Sequence, residues 1–379
     1  MTGLALTLAL VAGLLGAFPT HGAPIDNQIA SSALRLGANN AFKIAIMSDL
    51  HFGEEEHGWG IEQDLKTARA MRSVLDYEKP NLVVLNGDLI SGEYTFRENS
   101  SMYIHQIVAP MVEKGISWAS TYGNHDSAFN LSREVLFAQE STYDLCRTKV
   151  MDSALPGTTN YWIQVDGEDG SARAVLWFLD SRGGNPYQFQ PGEPRDIDNW
   201  VAPETVKWMR DESAALGQAN GKDVPSFVFT HIPPYAYSVK QKSGIDPSRF
   251  PGLHVDNPLA YQGRGTEDSN LVLALQELPN MHSVYVGHNH GDSYCSTWPA
   301  SSAGLSRPFL CFAKHTGYGG YGNWRPGARI VEVADVDGGL EVNTWVRMES
   351  GVVITRVSLN GTYGEDVYPV ETGEEFHGK

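Results

Sequence analysis

Six apolar runs of four to six residues, rich in β-branched and aromatic side chains, each end directly in a polar cluster. That recurrence limits the possible folds more than any other feature of the chain. Residues 42–47 lead into Ser48-Asp49-Leu50-His51, 82–85 into Asn86-Gly87-Asp88, and 116–121 into Gly123-Asn124-His125-Asp126. Residues 174–179 lead into Asp180-Ser181-Arg182, 227–230 into His231, and 283–286 into Gly287-His288-Asn289-His290. Runs of this length and composition are signals for buried strands. Between them, residues 62–78, 100–114, 132–139, 203–216 and 270–278 have helical character. Pro203 falls in the first turn of its helix, where a missing N–H costs little. Strand, loop and helix in alternation predict an α/β fold, and in open α/β sheets ligands bind beyond the carboxyl ends of the strands. Every polar cluster falls on that edge.

A chain of 379 residues suits one large α/β domain or two average ones. With only 19% charged and as many as 10% aromatic residues, it is not a disordered chain. Its 28 Lys and Arg against 45 Asp and Glu leave a net charge of −17. That balance opposes non-specific attraction to nucleic acid or anionic membrane. An anionic substrate therefore requires a local positive centre. Residues 180–201, rich in Gly, Pro and Asp, read as a long loop rather than a domain boundary. Residues 316–327 form a second, Gly-rich loop, and no helix start follows it, which argues against a phosphate-cradling P-loop.

The apolar run over residues 4–15 closes on small residues and Pro19, as a signal peptide does, and is too short to span a bilayer. A leader over residues 1–22, secretion, and a mature protein without a membrane span are the expectations. No Lys or Arg precedes the run, so the α-amino group alone supplies the leader's charge. Sequons at Asn99, Asn130 and Asn360 agree with export. Of three cysteines, Cys295 and Cys311 flank one loop and are the expected pair in an oxidising compartment, with Cys146 single. Three reduced, buried thiols are the alternative. No Cys-x-x-Cys occurs, which removes zinc-knuckle and thioredoxin-like chemistry.

Asp49, His51, Asp88, Asn124, His125, His231, His288 and His290 supply two carboxylates, one amide and five imidazoles. Imidazole and carboxylate without thiolate suit Zn, Fe or Mn. Two such ions about 3.5–4 Å apart can clamp the attacking and leaving oxygens of an in-line displacement.

The ordered set Ser-Asp-Leu-His, Gly-Asp, Gly-Asn-His-Asp, His and Gly-His-Asn-His resembles the calcineurin-like metallophosphoesterase superfamily, its blocks spanning Asp49 to His290. The wording Asp49-Leu-His-Phe-Gly near the start and Lys314-His315-Thr-Gly-Tyr-Gly-Gly-Tyr-Gly near the end is similar to fungal and plant phosphatases related to purple acid phosphatases, many of them secreted. The resemblance implies an αββα sandwich of two mixed β-sheets flanked by helices. It places the domain at residues 40–350, with residues 351–379 as a C-terminal extension and a loosely held tail. It implies that Asp49, His51 and His290 bind one metal ion, that Asn124, His231 and His288 bind the other, and that Asp88 bridges them. His125 would stand beside the phosphoryl group as the catalytic histidine. The implied activity is hydrolysis of small phosphate monoesters by a metal-activated hydroxide. A phosphodiesterase for nucleotides or lipid head groups, and an inactive metal-binding scaffold, are the rival readings. Oligomeric state is not legible.

One departure matters. Three residues past Asp88, purple acid phosphatases carry a Tyr ligand and Ser/Thr protein phosphatases an Asp that orients the catalytic His; here the residue is Ser91. Neither a purple centre nor the protein-phosphatase dyad is expected. His57, His105 and His282 read as surface or capping residues. His315, Asp180 and Arg182 sit in segments able to reach the site.

Overall fold

A computed structural model describes residues 33–370, apart from residues 38, 97, 129–131, 186–195, 264–268, 300–303 and 337. The leader and Asn130 lie outside the described residues. In chain order the strands are β1 (Leu34–Arg35), β2 (Ala41–Met47), β3 (Leu82–Asn86), β4 (Ser117–Thr121), β5 (Tyr161–Asp166), β6 (Ala172–Phe178) and β7 (Ser226–Phe229). They continue with β8 (Met281–Val286), β9 (Cys295–Thr297), β10 (Phe309–Phe312), β11 (Gly327–Val336), β12 (Gly339–Met348) and β13 (Val353–Ser358). The helices are α1 (Gly60–Glu78), α2 (Tyr103–Lys114), α3 (Arg133–Glu140), α4 (Pro203–Asn220), α5 (Tyr235–Lys242) and α6 (Ser269–Glu277).

All six strands expected from the apolar runs form, as β2, β3, β4, β6, β7 and β8. The five expected helices form too, although α4 runs on to Asn220. The strands build two mixed sheets, ordered β13-β12-β11-β2-β3-β4 and β1-β5-β6-β7-β8-β10-β9. Strands β2, β3 and β4 are mutually parallel in the first sheet, as are β6, β7, β8 and β10 in the second.

Side-chain alternation explains the layering, because successive residues of a strand face opposite sides. Phe42, Ile44 and Ile46 of β2 join Leu82, Leu176, Phe178, Phe227 and Phe229 in the core between the sheets. Ala45 and Met47, at the alternate positions, face the other way and meet Met71, Val74, Ile107 and Val108 of α1 and α2. On the second sheet Val175, Trp177, Val228 and Val284 pack against Val206, Met209, Leu271 and Leu275 of α4 and α6. The result is helix, sheet, sheet, helix, as the resemblance implies.

Three features differ from the expectations. First, residues 353–368 are not a loose tail. Strand β13 extends β12, the Tyr363 hydroxyl donates to the Cys295 carbonyl at 2.9 Å, and the Tyr368 amide donates to Ser248 at 2.7 Å. An edge strand with one wetted face and Arg356 in its middle carries too weak an apolar signal to read in sequence. Second, α5 was not expected; its apolar face is short, with only Ala236, Tyr237 and Ser238 buried. Third, His282 is half-buried, its ring close to those of Phe227 and Phe309, at 5.1 and 5.2 Å, with Nδ1 3.0 Å from the Ser283 hydroxyl. Cys295 and Cys311 are directly opposed across β9 and β10 and form a disulfide, and Cys146 is a free, half-buried thiol.

Burial pushes His282 down from 6.5 to about 4. Its folded state favours the neutral ring, so this contribution to stability is complete above pH 6.5 and is lost as pH falls toward 4. His282→Gln is expected to lose less stability than the parent between those limits. Denaturant midpoints at neutral pH and near pH 4.5 check it, and equal losses in both proteins would remove His282 from the acid response.

Candidate metal centre

The candidate ligands follow the carboxyl ends of five strands: Asp49 and His51 after β2, Asp88 after β3, Asn124 and His125 after β4, His231 after β7, and His288 and His290 after β8. The chain must leave each strand abruptly to aim them inward. Asp49, His51, Asp88 and His288 all adopt left-handed backbone, with φ of 56°, 52°, 50° and 72°. For residues with a side chain that conformation costs energy and persists where surrounding structure over-determines it. Gly123 allows the β4 turn to approach closely, since a Cβ there would stand 2.3 Å from Oδ1 of Asp88.

Two ligand groups result. Asp49, His51 and His290 bring one atom each to within 4.8 Å of one another, and so do Asp88, His231 and His288. All six side chains are buried except that of His288, which is half-buried. The groups touch: the His288 amide donates to Oδ1 of Asp49 at 2.9 Å, and Asp88 Oδ2 lies 3.9 Å from Nε2 of His51. Asp88 thus reaches the first group, and Asp49, with Oδ1 4.0 Å from His231 Nε2, reaches the second.

The hydrogen bonds prepare the rings to coordinate. His290 Nδ1 meets the Tyr321 carbonyl at 2.9 Å and His231 Nδ1 meets the Asn86 carbonyl at 2.9 Å. A carbonyl only accepts, so each Nδ1 carries a proton, which leaves Nε2 as the ring atom that could coordinate a metal ion. His290 Nε2 faces His51 Nε2 at 3.2 Å, and His231 Nε2 faces Asp88 Oδ2 at 2.9 Å. The buried Oδ1 of Asn124 has no hydrogen-bond partner. Converging lone pairs and an orphaned amide oxygen are the donor set of a cation site, and N/O ligands without thiolate fit Zn, Fe or Mn.

The electrostatics agree. Burial lowers His51 and His290, and takes His288 down to about 3, so these rings are neutral. Burial opposes the Asp88 charge, yet His231 and His125 outweigh it and hold this carboxyl well below its usual range. Burial likewise opposes charge on His231, but Asp88 dominates and pushes it to about 9. Asp88 is thus the buried anion of the pocket, with His231 and His125 turned to it, whereas burial pushes the Asp49 carboxyl up.

His125 stands at the rim. Its amide donates to Oδ1 of Asp88 at 2.9 Å, and its ring lies 4.9 Å from that of His51, edge on. Burial works against its charge, but Asp88 and Glu93 prevail and push it to about 10. Ser91 does not face it; the Ser91 hydroxyl meets His51 Nδ1 at 2.9 Å. A carboxylate reaches His125 all the same, for Glu93 Oε1 lies 2.5 Å from Nδ1. Sequence reading missed Glu93, since no spacing rule marks an acid five residues past Asp88. It also missed Tyr321 and Glu54. The Tyr321 hydroxyl accepts from the His290 amide at 3.0 Å, and Glu54 accepts from the Gly320 amide at 2.7 Å.

A cleft of about 660 Å³ opens beside His125 and His288, bordered by Glu93, Asn124 and the loop residues Gly183, Asp198 and Trp200. Asp180 is not in it: this carboxylate is buried and accepts the amides of Thr158 and Arg182, each at 2.7 Å. Arg182 donates to the Trp200 carbonyl at 2.8 Å and braces the loop. His315 is buried behind the site, its ring parallel to that of His290 at 5.5 Å. Asn99 and Asn360 are exposed on the surface.

The calcineurin-like phosphoesterase family pattern matches residues 42–292, from β2 through the last candidate ligands. The chain belongs to the calcineurin-like phosphoesterase family. The probable inactive purple acid phosphatase 28 of Arabidopsis thaliana is 25% identical, over 83% of this chain and 82% of the plant protein. The phosphatase DCR2 of Saccharomyces cerevisiae is 28% identical over 72% of this chain and 47% of the yeast protein. Among solved structures, a dimetal phosphatase from Danio rerio superposes with a TM-score of 0.51 at 12% identity, covering 84% of this chain and 98% of the fish protein. That likeness concerns the fold.

Proposed function

We propose that this member of the family is a secreted binuclear-metal phosphatase that hydrolyses phosphate monoesters. The observation that carries the reading is two buried ligand groups meeting at Asp88, with His125 at the rim of an open cleft. Asp49, His51 and His290 would hold one ion; Asn124, His231 and His288 the other; Asp88 would serve both. When bound, ions of the Fe, Zn or Mn class supply Lewis-acid polarisation of phosphoryl oxygens and bring the pKa of water toward neutrality.

The remaining chemistry belongs to the chain. Ser91 and the Tyr321 carbonyl fix the rings of His51 and His290, and the Asn86 carbonyl fixes His231. Such outer contacts hold a ligand's tautomer and orientation. His125 presents Nε2 to the ester oxygen, giving it a proton as the P–O bond breaks. A chain of net charge −17 could accept an anion because ions held beside Asp88 would dominate the local field.

Three plant relatives carry "probable inactive" in their names, while a yeast relative is named a phosphatase. What favours activity is that six candidate ligands fall into two close groups, that Asn124 has a buried, unpartnered Oδ1, and that His125 lines the cleft. Monoester preference rests on the likeness to proteins named phosphatases. Secretion rests on the leader-like residues 1–22 and is supported by the Cys295–Cys311 disulfide, which suits an oxidising compartment. Purified protein is expected to hold close to two metal ions per chain by elemental analysis and to cleave an aryl phosphate faster than the corresponding bis-aryl ester, with chelation abolishing both. Metal retained with no ester cleaved would favour the inactive scaffold, and a faster diester would overturn the monoester reading. Recovery of the full-length chain inside expressing cells with residues 1–22 uncleaved would sink secretion.

A further inference from the structure

We infer that Glu93 is the positioning residue for His125, and that the pair equips this site for phosphate esters of unactivated alcohols. The inference rests on the phosphatase reading above. An alkoxide is a poor leaving group, so its ester needs a proton delivered as the P–O bond breaks; a stabilised phenolate does not. Delivery requires that one ring nitrogen be occupied and the other aimed.

The structure supplies the occupied nitrogen by an unexpected route. The residue three past Asp88 is Ser91, and its hydroxyl is taken by His51. The acid comes two residues later: Glu93 Oε1 lies 2.5 Å from His125 Nδ1, and the Glu93 side chain is only 15% exposed. A carboxylate this close to Nδ1 favours the proton on that nitrogen and would leave Nε2 for the ester oxygen.

The backbone is built to bring the two together. The Gly92 amide donates to the His125 carbonyl at 3.0 Å, stitching the turn that carries Glu93 to the turn that carries His125. A Cβ at position 92 would stand 2.5 Å from that carbonyl oxygen and 2.6 Å from the Ala128 oxygen, so only glycine permits the approach. From the other side, the His125 amide is held by Asp88. His125 is thus held at its main chain on both sides, with the Glu93 carboxylate against Nδ1 of its ring. In the step itself, water oxygen bonds to phosphorus, the P–O bond to the alcohol breaks with its electron pair, and the Nε2 proton moves to that oxygen. Inorganic phosphate and neutral alcohol leave, and Nε2 regains its proton from solvent.

The test is Glu93→Gln in the metal-loaded enzyme, assayed on glycerol phosphate and on 4-nitrophenyl phosphate. General acid catalysis contributes about 10²–10⁴-fold, so kcat on the alkyl ester is expected to fall about 10²-fold and on the aryl ester less than about 5-fold. Glu93→Gln added to His125→Ala is expected to cause no further loss on the alkyl ester. In zinc-loaded protein carrying ¹⁵N-labelled histidine, the His125 Nδ1 signal, identified by its absence in His125→Ala, is expected to move in Glu93→Gln. Glu93→Asp, which keeps the charge on a shorter arm, is expected to recover part of the alkyl activity, and it carries the test if the Gln variant fails to fold or loses metal. Equal losses on both esters, additive losses with His125→Ala, or an unmoved Nδ1 signal would each overturn the inference. A parent enzyme inert on both esters would sink the phosphatase reading instead, and the Nδ1 signal would still report whether Glu93 holds His125.

Discussion

Asp88→Asn is expected to lower turnover on an aryl phosphate by about 10³-fold or more and to take the metal content below two ions per chain. The magnitude follows from losing about 4 kcal/mol of metal-supplied stabilisation, at 1.36 kcal/mol for each factor of ten. Asp88 belongs to one ligand group and reaches the other, with Oδ2 2.9 Å from His231 Nε2 and 3.9 Å from His51 Nε2. An amide offers one acceptor oxygen where the carboxylate offers two, and it carries no charge to offset two cations. The cost should show as lost metal rather than lost fold, because Asn is nearly isosteric with Asp. Asn124→Ala provides the contrast. It removes a donor from one group only and should leave close to one ion bound. An Asp88→Asn enzyme with two metal ions and parental turnover would take Asp88 out of the bridging position.

The largest stability effect is expected at Glu140. This fully buried carboxylate on α3 accepts from Trp118 Nε1 at 2.8 Å, Ser120 Oγ at 2.6 Å, Tyr122 Oη at 2.7 Å and Thr148 Oγ1 at 2.7 Å. Three of those donors flank or lie on β4, the strand that delivers Asn124 and His125. Glu140→Ala would strand four buried donors, each worth about 1–3 kcal/mol when left unpaired, although collapse and water entry offset part of the sum. We expect a loss of about 4 kcal/mol, read from the denaturant midpoint at unchanged slope. Glu140→Gln, which keeps an acceptor oxygen but turns an NH₂ toward donors, should fall between. A loss below about 1 kcal/mol in the Ala variant would show that this network is not what holds α3 to β4. Metal analysis of the same variant connects the two effects, since a displaced β4 should weaken the group containing Asn124.

Local sequence carried much of the architecture. β-Branched runs broken by polar clusters can bury only as strands, and six such runs identified six strands of the two sheets. The candidate ligands were legible for the same reason: a parallel strand releases its chain at the carboxyl edge, so the clusters at residues 49–51, 88, 124–125, 231 and 288–290 had to gather there. Strands β11 to β13 were not legible. Their buried and wetted positions follow no regular alternation, and the pairing of β11 joins residues far apart in sequence, with Arg329 opposite Ile46 of β2.

What sequence by itself determined is the kind of fold, the family and the inventory of groups that can hold metal. Only the tertiary structure decided how those groups are held: that Ser91 turns to His51, that Tyr321 braces His290, and that Glu93 reaches His125. Strand composition and ligand type are properties of neighbouring residues, recorded locally. A hydrogen bond from a loop to a ring is a property of distance in space. It depends on where a turn such as that at Gly92 lets two segments meet, which no spacing along the chain expresses.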